Sequence, residues 1–198
     1  MVDGGLREGV GRAVGCRAKA PRACWRLTSE SGSVLRRGRC TGSGGWGNNE
    51  LQYYKQENAV VSDGILTITA KNENFNTSNY TSSRIKTQGI KSWKYGRIDV
   101  RAALPYGQGI WPAIWMMGVN RTKLGWPTCG EIDVMELRGQ LPSIINGSIH
   151  GPGFSGADAL SGTYGLQNAR FDTDYYTYAV EWDANKIDFF VNGFLYHR

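Results

Sequence analysis

The sequence predicts an all-β domain whose antiparallel strands pack as a sandwich. From Trp46 onward, short runs rich in β-branched and aromatic residues alternate with Gly, Asn and Asp, a pattern typical of strands joined by turns. No stretch of ten or more residues repeats its apolar positions at helical spacing. Both observations favour two packed sheets over a helical or mixed fold.

Individual strands can be placed in chain order. The Asp63-Gly64 pair between two apolar runs predicts a hairpin. Residues 97–102 alternate charged and apolar side chains, which indicates a half-buried strand. The other strand candidates are LQYYKQ, SSRIKTQGIKS, GEIDVMEL, SIINGSIH, YYTYAVEW and KIDFFVNG.

The positive charge is confined to the N-terminal fifth of the chain. The 198 residues carry a net charge of +6, yet residues 41–198 contain fourteen basic and fourteen acidic side chains. This neutral body argues against nucleic acid as a partner. No apolar run approaches the roughly 18 residues of a membrane helix, so we expect no membrane partner. The first 40 residues lack Tyr, Phe and the apolar stretch of a secretory signal.

The segment GEIDVMEL carries the most informative cluster of side chains. Glu131 and Asp133 lie on the same face of a strand, because side chains alternate. One extra residue, a β-bulge at Val134–Met135, would turn Glu136 to that face as well. The pattern is compatible with an exposed acidic edge strand, with a divalent-metal site completed by His150, or with acid catalysis.

Retaining glycoside hydrolysis gives each of three carboxyl groups a separate task. One ionised carboxylate is the nucleophile and one protonated carboxyl is the general acid. A third carboxyl between them can hydrogen-bond the nucleophile and help to set the protonation pattern.

Two neighbouring segments supply further candidates. Trp111 and Trp115, in GIWPAIWMM, either stack on sugar rings or pack in the core. SIINGSIHGPG is predicted to pair with the acidic strand, which would place His150 beside the carboxylates.

Taken together, five blocks of sequence resemble glycoside hydrolase family 16 in its bacterial laminarinase-type branch. They are WGNNELQYY, GRIDVRAALPYGQGIWPAIWMM, GWPTCGEIDVMEL, SIHGPGFSG and YYTYAVEWDANKIDFFVNG. The resemblance runs from about Gly44 to Gly193. It implies a β-jelly roll of the concanavalin A-like kind, in which two curved antiparallel sheets form a concave glucan-binding cleft.

The resemblance also implies roles for individual residues. Glu131 corresponds to the nucleophile, Asp133 to the assisting acid and Glu136 to the general acid/base. The implied substrate-binding residues are Trp111, Trp115, Arg84, His150, Asn48 and Trp126. No metal ligand is assigned and no cofactor is expected. A structural calcium is common in the family, but its site is not identifiable in this sequence.

The implied function is that of an endo-β-glucan hydrolase that cleaves internal β-1,3 linkages with retention. The alternatives are a mixed-linkage β-1,3-1,4-glucanase, a non-catalytic β-glucan-binding module and an inactive fragment. By analogy with the family we expect an extracellular protein, although no signal peptide is visible. We expect a monomer if the chain is fully folded.

Two parts of the family pattern have no counterpart in this sequence. Residues 1–43 lack the family's usual first strand, so we expect a basic leader without assigned function. Residues 44–198 are expected to form a family 16-like catalytic domain that lacks its last strands. The sandwich is therefore expected to be incomplete.

Overall fold

Strands dominate the computed structural model, which describes residues 47–198 in full, Gly42, and the backbone of Arg22–Trp25 and Arg39–Cys40. The strands are β1 (Arg22–Trp25), β2 (Arg39–Cys40), β3 (Gln52–Tyr54), β4 (Ala59–Ser62), β5 (Ile65–Thr69), β6 (Lys71–Phe75), β7 (Ser78–Ser82), β8 (Arg84–Ile85), β9 (Gly96–Ala103), β10 (Ala113–Met117), β11 (Glu131–Leu137), β12 (Ile144–His150), β13 (Leu160–Gly165), β14 (Tyr176–Trp182), β15 (Ile187–Val191) and β16 (Phe194–His197). The described helices are short, namely α1 (Arg121–Leu124) and the 3₁₀ turns Gln56–Asn58 and Gly156–Asp158. Within these residues, no helix has the length and apolar character needed to span a membrane.

Two sheets enclose one apolar core. The larger has the order β16-β15-β14-β9-β1-β5-β4 and the smaller the order β10-β11-β12-β13. The smaller sheet contributes Val134, Met135 and Leu137 to the buried core, and the larger contributes Val180 and Phe189. The predicted all-β sandwich is confirmed.

Two ribbons complete the described part of the fold. One pairs β2 with β8, and the other has the order β3-β7-β6. The β3–β7 pair is parallel, whereas the other described strand pairs are antiparallel. β6 and β7 were not predicted, because KNENF and SNYTS carry no alternation of apolar residues.

Local turn chemistry explains the predicted hairpin. Ser62 pairs with Ile65, so Asp63 and Gly64 form a two-residue connection between β4 and β5. Their φ angles are 52° and 73°, as the favoured hairpin turn requires at both positions. Asp tolerates this left-handed conformation better than most residues, and Gly adopts it freely.

The backbone of β1 lies in the larger sheet, although it belongs to the N-terminal segment predicted as a leader. It pairs antiparallel with β5 and with β9. Apart from β1, β2 and Gly42, residues 1–43 lie outside the described residues. The division at residues 43 and 44 stays a prediction.

Two facing glycines let the sheets approach closely beneath β12 and β13. Gly147 and Gly162 are cross-strand partners. A Cβ at Gly147 would overlap Tyr196 Oη and come within 2.7 Å of Phe189 Cδ1, and one at Gly162 would overlap the His197 side chain. Glycine is therefore the residue that allows β15 and β16 to pack against the smaller sheet.

This packing predicts a stability effect. We expect Gly147→Ala to lower the free energy of unfolding by about 1–3 kcal/mol, because the added methyl group overpacks a filled core. Urea-induced unfolding followed by circular dichroism measures the change. Gly165→Ala is the matched control, since a Cβ there meets no atom within 4 Å. Equal stability of the two variants would contradict the packing argument.

Candidate active site

Three carboxyl groups share one face of β11, the second strand of the smaller sheet. Asp133 pairs with Ser148, and Glu136 pairs with Asn146. The step from one pair to the next therefore takes three residues on β11 but only two on β12. The extra residue is the predicted bulge at Val134–Met135. It turns Glu136 to the face of Asp133 and is confirmed by the register. Because Val134 and Met135 both remain buried in the core, the bulge exposes a carboxylate without exposing apolar surface.

Cross-strand partners show what surrounds the carboxyl groups, because directly opposed residues share a face of the sheet. On β10, Trp115 is opposite Asp133. On β12 and β13 the corresponding partners are small or polar, namely Asn146, Ser148, His150, Ser161 and Thr163. Their hydroxyl and amide groups bond to one another: Thr163 donates to Asn146 at 2.9 Å and the two serine hydroxyls lie 2.9 Å apart. The carboxyl face is thus a polar surface.

Asp133 is the most deeply buried of the three acids, with 5% of its side chain exposed. Burial raises its pKa to about 9, and the charges of Glu131 and Glu136 and a hydrogen bond with Glu131 act in the same direction. Asp133 therefore carries a proton at neutral pH. His150 Nε2 lies 2.8 Å from its Oδ2.

Glu136 combines burial with a specific hydrogen bond. Trp111 Nε1 donates to Glu136 Oε1 at 3.0 Å. Burial raises the pKa of Glu136, while the Trp111 hydrogen bond opposes the rise. A carboxyl group with a raised pKa is suited to deliver a proton near neutral pH. The indole is 53% exposed, so much of its surface remains available beside this carboxyl group.

Arg84 and Trp115 form a second feature beside the acidic strand. The Arg84 guanidinium lies over the Trp115 ring, with Cζ 4.6 Å from the ring centroid. The structure thus joins two predicted substrate-binding residues from distant parts of the sequence. A planar cation against an indole offers hydrogen-bond donors beside an apolar surface, a combination that suits a sugar with hydroxyl edges and C–H faces.

Comparison with protein families decides where this arrangement belongs. The family model described as glycosyl hydrolases family 16 matches residues 47–198. The chain belongs to this family. The match contains the acidic strand, both strands that flank it and Arg84, so the described site lies inside the family 16 domain.

Individual proteins and solved structures are also similar to this chain. The chain is 44% identical to the clotting factor G alpha subunit of Tachypleus tridentatus over 77% of its length, and 43% identical to a beta-glucanase of Rhodothermus marinus over 79%. It spans 22% and 57% of those two proteins. Among solved structures, the laminarinase catalytic domain of Thermotoga maritima MSB8 matches with a TM-score of 0.81 and 41% identity, covering 87% of this chain and 76% of that one.

Sequence reasoning missed one acidic residue of this family 16 domain, Glu50. It accepts hydrogen bonds from the Tyr54 hydroxyl at 2.7 Å and from Gln52 Nε2 at 2.8 Å. Arg84 Nη1 lies 4.0 Å from its other oxygen. Glu50 therefore places a carboxylate beside the arginine that covers Trp115. The sequence did contain a signal for this group, because residues 50, 52 and 54 of an extended segment lie on the same face.

The last two predicted substrate-binding residues are Trp126 and Asn48. Trp126 is 46% exposed, and its ring centroid lies 5.9 Å from that of His150. This places it beside the carboxyl cluster. Asn48 lies in an exposed turn with φ 55°. The described contacts do not connect it with β11, and its sugar-binding role stays a prediction.

A cation is a competing interpretation of the carboxyl cluster. Glu131, Asp133 and His150 each place one potential ligand atom within 4.8 Å of the others. A metal needs deprotonated ligands, whereas the raised pKa keeps a proton on Asp133. The hydrogen bond from His150 to Asp133 also occupies the ring nitrogen that would bind the ion. The hydrogen bond and the raised pKa of Asp133 describe a pair that shares protons, and the three ligand atoms are also close enough together to bind a cation that displaces those protons.

Proposed function

We propose that the chain is a retaining endo-β-glucan hydrolase that cleaves internal β-1,3-glucosidic bonds. The observation that carries the proposal is the bulged strand β11, which presents three carboxyl groups in different environments on one polar face. The names of the relatives, a beta-glucanase and a laminarinase, support a β-glucan substrate. The neutral charge of residues 41–198 suits an uncharged polysaccharide.

In this proposal the three carboxyl groups have separate tasks. Glu136 donates its proton to the glycosidic oxygen as the bond to C1 breaks, and Glu131 forms a covalent bond to the same carbon. Water then attacks C1 while Glu136 takes back a proton, and Glu131 leaves as a carboxylate. Two displacements restore the original β configuration. Asp133 stays protonated throughout and hydrogen-bonds Glu131.

The remaining features of the proposal follow from the substrate. Polymeric glucans lie outside cells, so we propose that the protein acts there. We propose a monomer, because a cleft built on one sheet of one chain needs no second copy.

Reducing-sugar release from laminarin and from barley mixed-linkage glucan tests the proposal. We expect faster release from laminarin, and none from either polymer when Glu131 is replaced by Gln. Faster release from barley glucan would instead indicate the mixed-linkage activity. Binding of laminarin without release would indicate a glucan-binding module, and neither binding nor release would indicate an inactive fragment.

The arginine–tryptophan pair predicts a separate effect on affinity. We expect Trp115→Ala to weaken laminarin binding by about 1–3 kcal/mol, the scale of aromatic stacking on flat ligands. Titration calorimetry in a Glu131→Gln background measures binding without turnover. Phe194→Ala is the control, because this exposed aromatic residue lies on the larger sheet. Unchanged affinity in Trp115→Ala would contradict stacking.

A further inference from the structure

Both ring nitrogens of His150 have partners, and these partners fix its tautomer. The Gly156 backbone N–H donates to Nδ1 at 3.1 Å, and Nε2 lies 2.8 Å from Asp133 Oδ2. A backbone N–H can only donate, so Nδ1 must present its lone pair. The ring proton is therefore on Nε2 and is donated to Asp133.

The same hydrogen bonds determine where the proton of Asp133 lies. Its Oδ2 accepts from His150, so the acid proton is favoured on the other oxygen, Oδ1. Asp133 also hydrogen-bonds Glu131. The Gly156 amide thus donates to His150 and His150 donates to Asp133, so the Asp133 oxygen that carries the acid proton is the one available to Glu131.

We propose that His150 is a positioning residue for the nucleophile rather than a sugar-binding residue. Its imidazole holds the Asp133 carboxyl group in one orientation and directs the carboxyl proton at Glu131. This inference rests on the proposed function, in which Glu131 attacks the sugar.

The surroundings of His150 support this role over sugar binding. Its side chain is only 13% exposed. Both of its polar atoms already have protein partners, so it has no spare donor or acceptor for a hydroxyl group. The ring of Trp126 also lies nearby, with 5.9 Å between the centroids. His150 and Glu131 are cross-strand partners, so the imidazole lies beside the residue proposed as the nucleophile.

Two replacements of His150 distinguish the effect of its hydrogen bond from the effect of its side-chain volume. His150→Leu keeps bulk without a donor, whereas His150→Gln carries an N–H group at a similar distance from the backbone. We expect the Leu variant to lose about 10²-fold in kcat on laminarin, the scale of a misplaced reacting group, with KM within about twofold of wild type. The Gln variant should recover about tenfold.

The leaving group of the substrate distinguishes nucleophile positioning from acid catalysis. We expect the Leu variant to lose a similar factor in kcat/KM on 2,4-dinitrophenyl β-laminaribioside, because the attack by Glu131 is slowed with either leaving group. A raised KM with unchanged kcat would overturn the proposal in favour of sugar binding. Equal activity of the Leu and Gln variants would overturn it as well.

The tautomer provides a test that needs no activity. Long-range ¹H–¹⁵N spectra of the wild-type chain, with His150 identified by the signal lost in His150→Gln, should show a protonated Nε2 and an unprotonated Nδ1. A proton on Nδ1 would overturn the proposal even if the Leu variant fails to fold. Lack of hydrolysis by the wild-type chain would contradict the proposed function, while the tautomer would still decide the geometry at His150.

Discussion

We expect Glu131→Gln to abolish hydrolysis of laminarin, with kcat lowered by about 10⁴-fold or more. The amide cannot form the covalent bond to C1, and removal of a covalent nucleophile is among the largest single losses that enzymes show. The substitution changes one atom and keeps the shape of the side chain. Laminarin binding should therefore remain close to that of the wild type.

Initial rates of reducing-sugar release, with binding measured by calorimetry on the same preparations, test this expectation. Glu181→Gln is the matched control, because it makes the same chemical change in an exposed ion pair with Arg97 on the larger sheet. Such exposed pairs contribute little to stability, so its activity should equal that of the wild type. Full activity of Glu131→Gln would remove Glu131 from the reaction.

We expect Glu136→Gln to lose about 10²–10⁴-fold in kcat on laminarin, the usual contribution of a positioned general acid. The glycosidic oxygen of a polymer is a poor leaving group without a proton. A dinitrophenolate departs without one, so the variant should retain most of its kcat/KM on 2,4-dinitrophenyl β-laminaribioside. Trp111 donates to Oε1 of Glu136, and the amide oxygen of Gln accepts the same hydrogen bond, which should preserve the local structure.

The ratio of kcat/KM on the two substrates is the decisive quantity for Glu136. Comparison with Glu131→Gln, which should lose both activities, separates an acid from a nucleophile. Equal losses on the polymer and on the aryl glycoside would contradict the assignment of Glu136 as the general acid.

The acidic strand shows how far sequence periodicity can predict a site. Alternation alone places Glu131 and Asp133 together, and the spacing to Glu136 requires one extra residue. The register of β11 against both neighbours confirms that bulge. The prediction succeeded because the apolar residues Val134 and Met135 must stay in the core, which allows few other paths for the chain.

Other features depend on contacts that no local pattern encodes. The amide that fixes His150 belongs to Gly156, six residues further on, and its position follows from the loop after β12. Glu50 reaches Arg84 across thirty-four positions. β6 and β7 consist mostly of polar residues, so hydrophobic alternation could not reveal them.

The glycines beneath the site illustrate the same limit. Gly147 sits in a predicted strand, where glycine ordinarily weakens pairing. The reason for a glycine at this position becomes clear only from the structure, in which Tyr196 and Phe189 pack directly against Gly147. Both belong to strands more than forty residues away in the chain.

A trapped intermediate would test the central claim most directly. With 2-deoxy-2-fluoro-β-laminaribiosyl fluoride, the fluorine at C2 slows both displacements while the fluoride leaving group speeds the first, so a glycosyl–enzyme should accumulate. We expect peptide mass spectrometry to place the added sugar on Glu131. A sugar on Asp133 or Glu136, or laminarin hydrolysis that first releases the α-anomer, would contradict a retaining mechanism through Glu131.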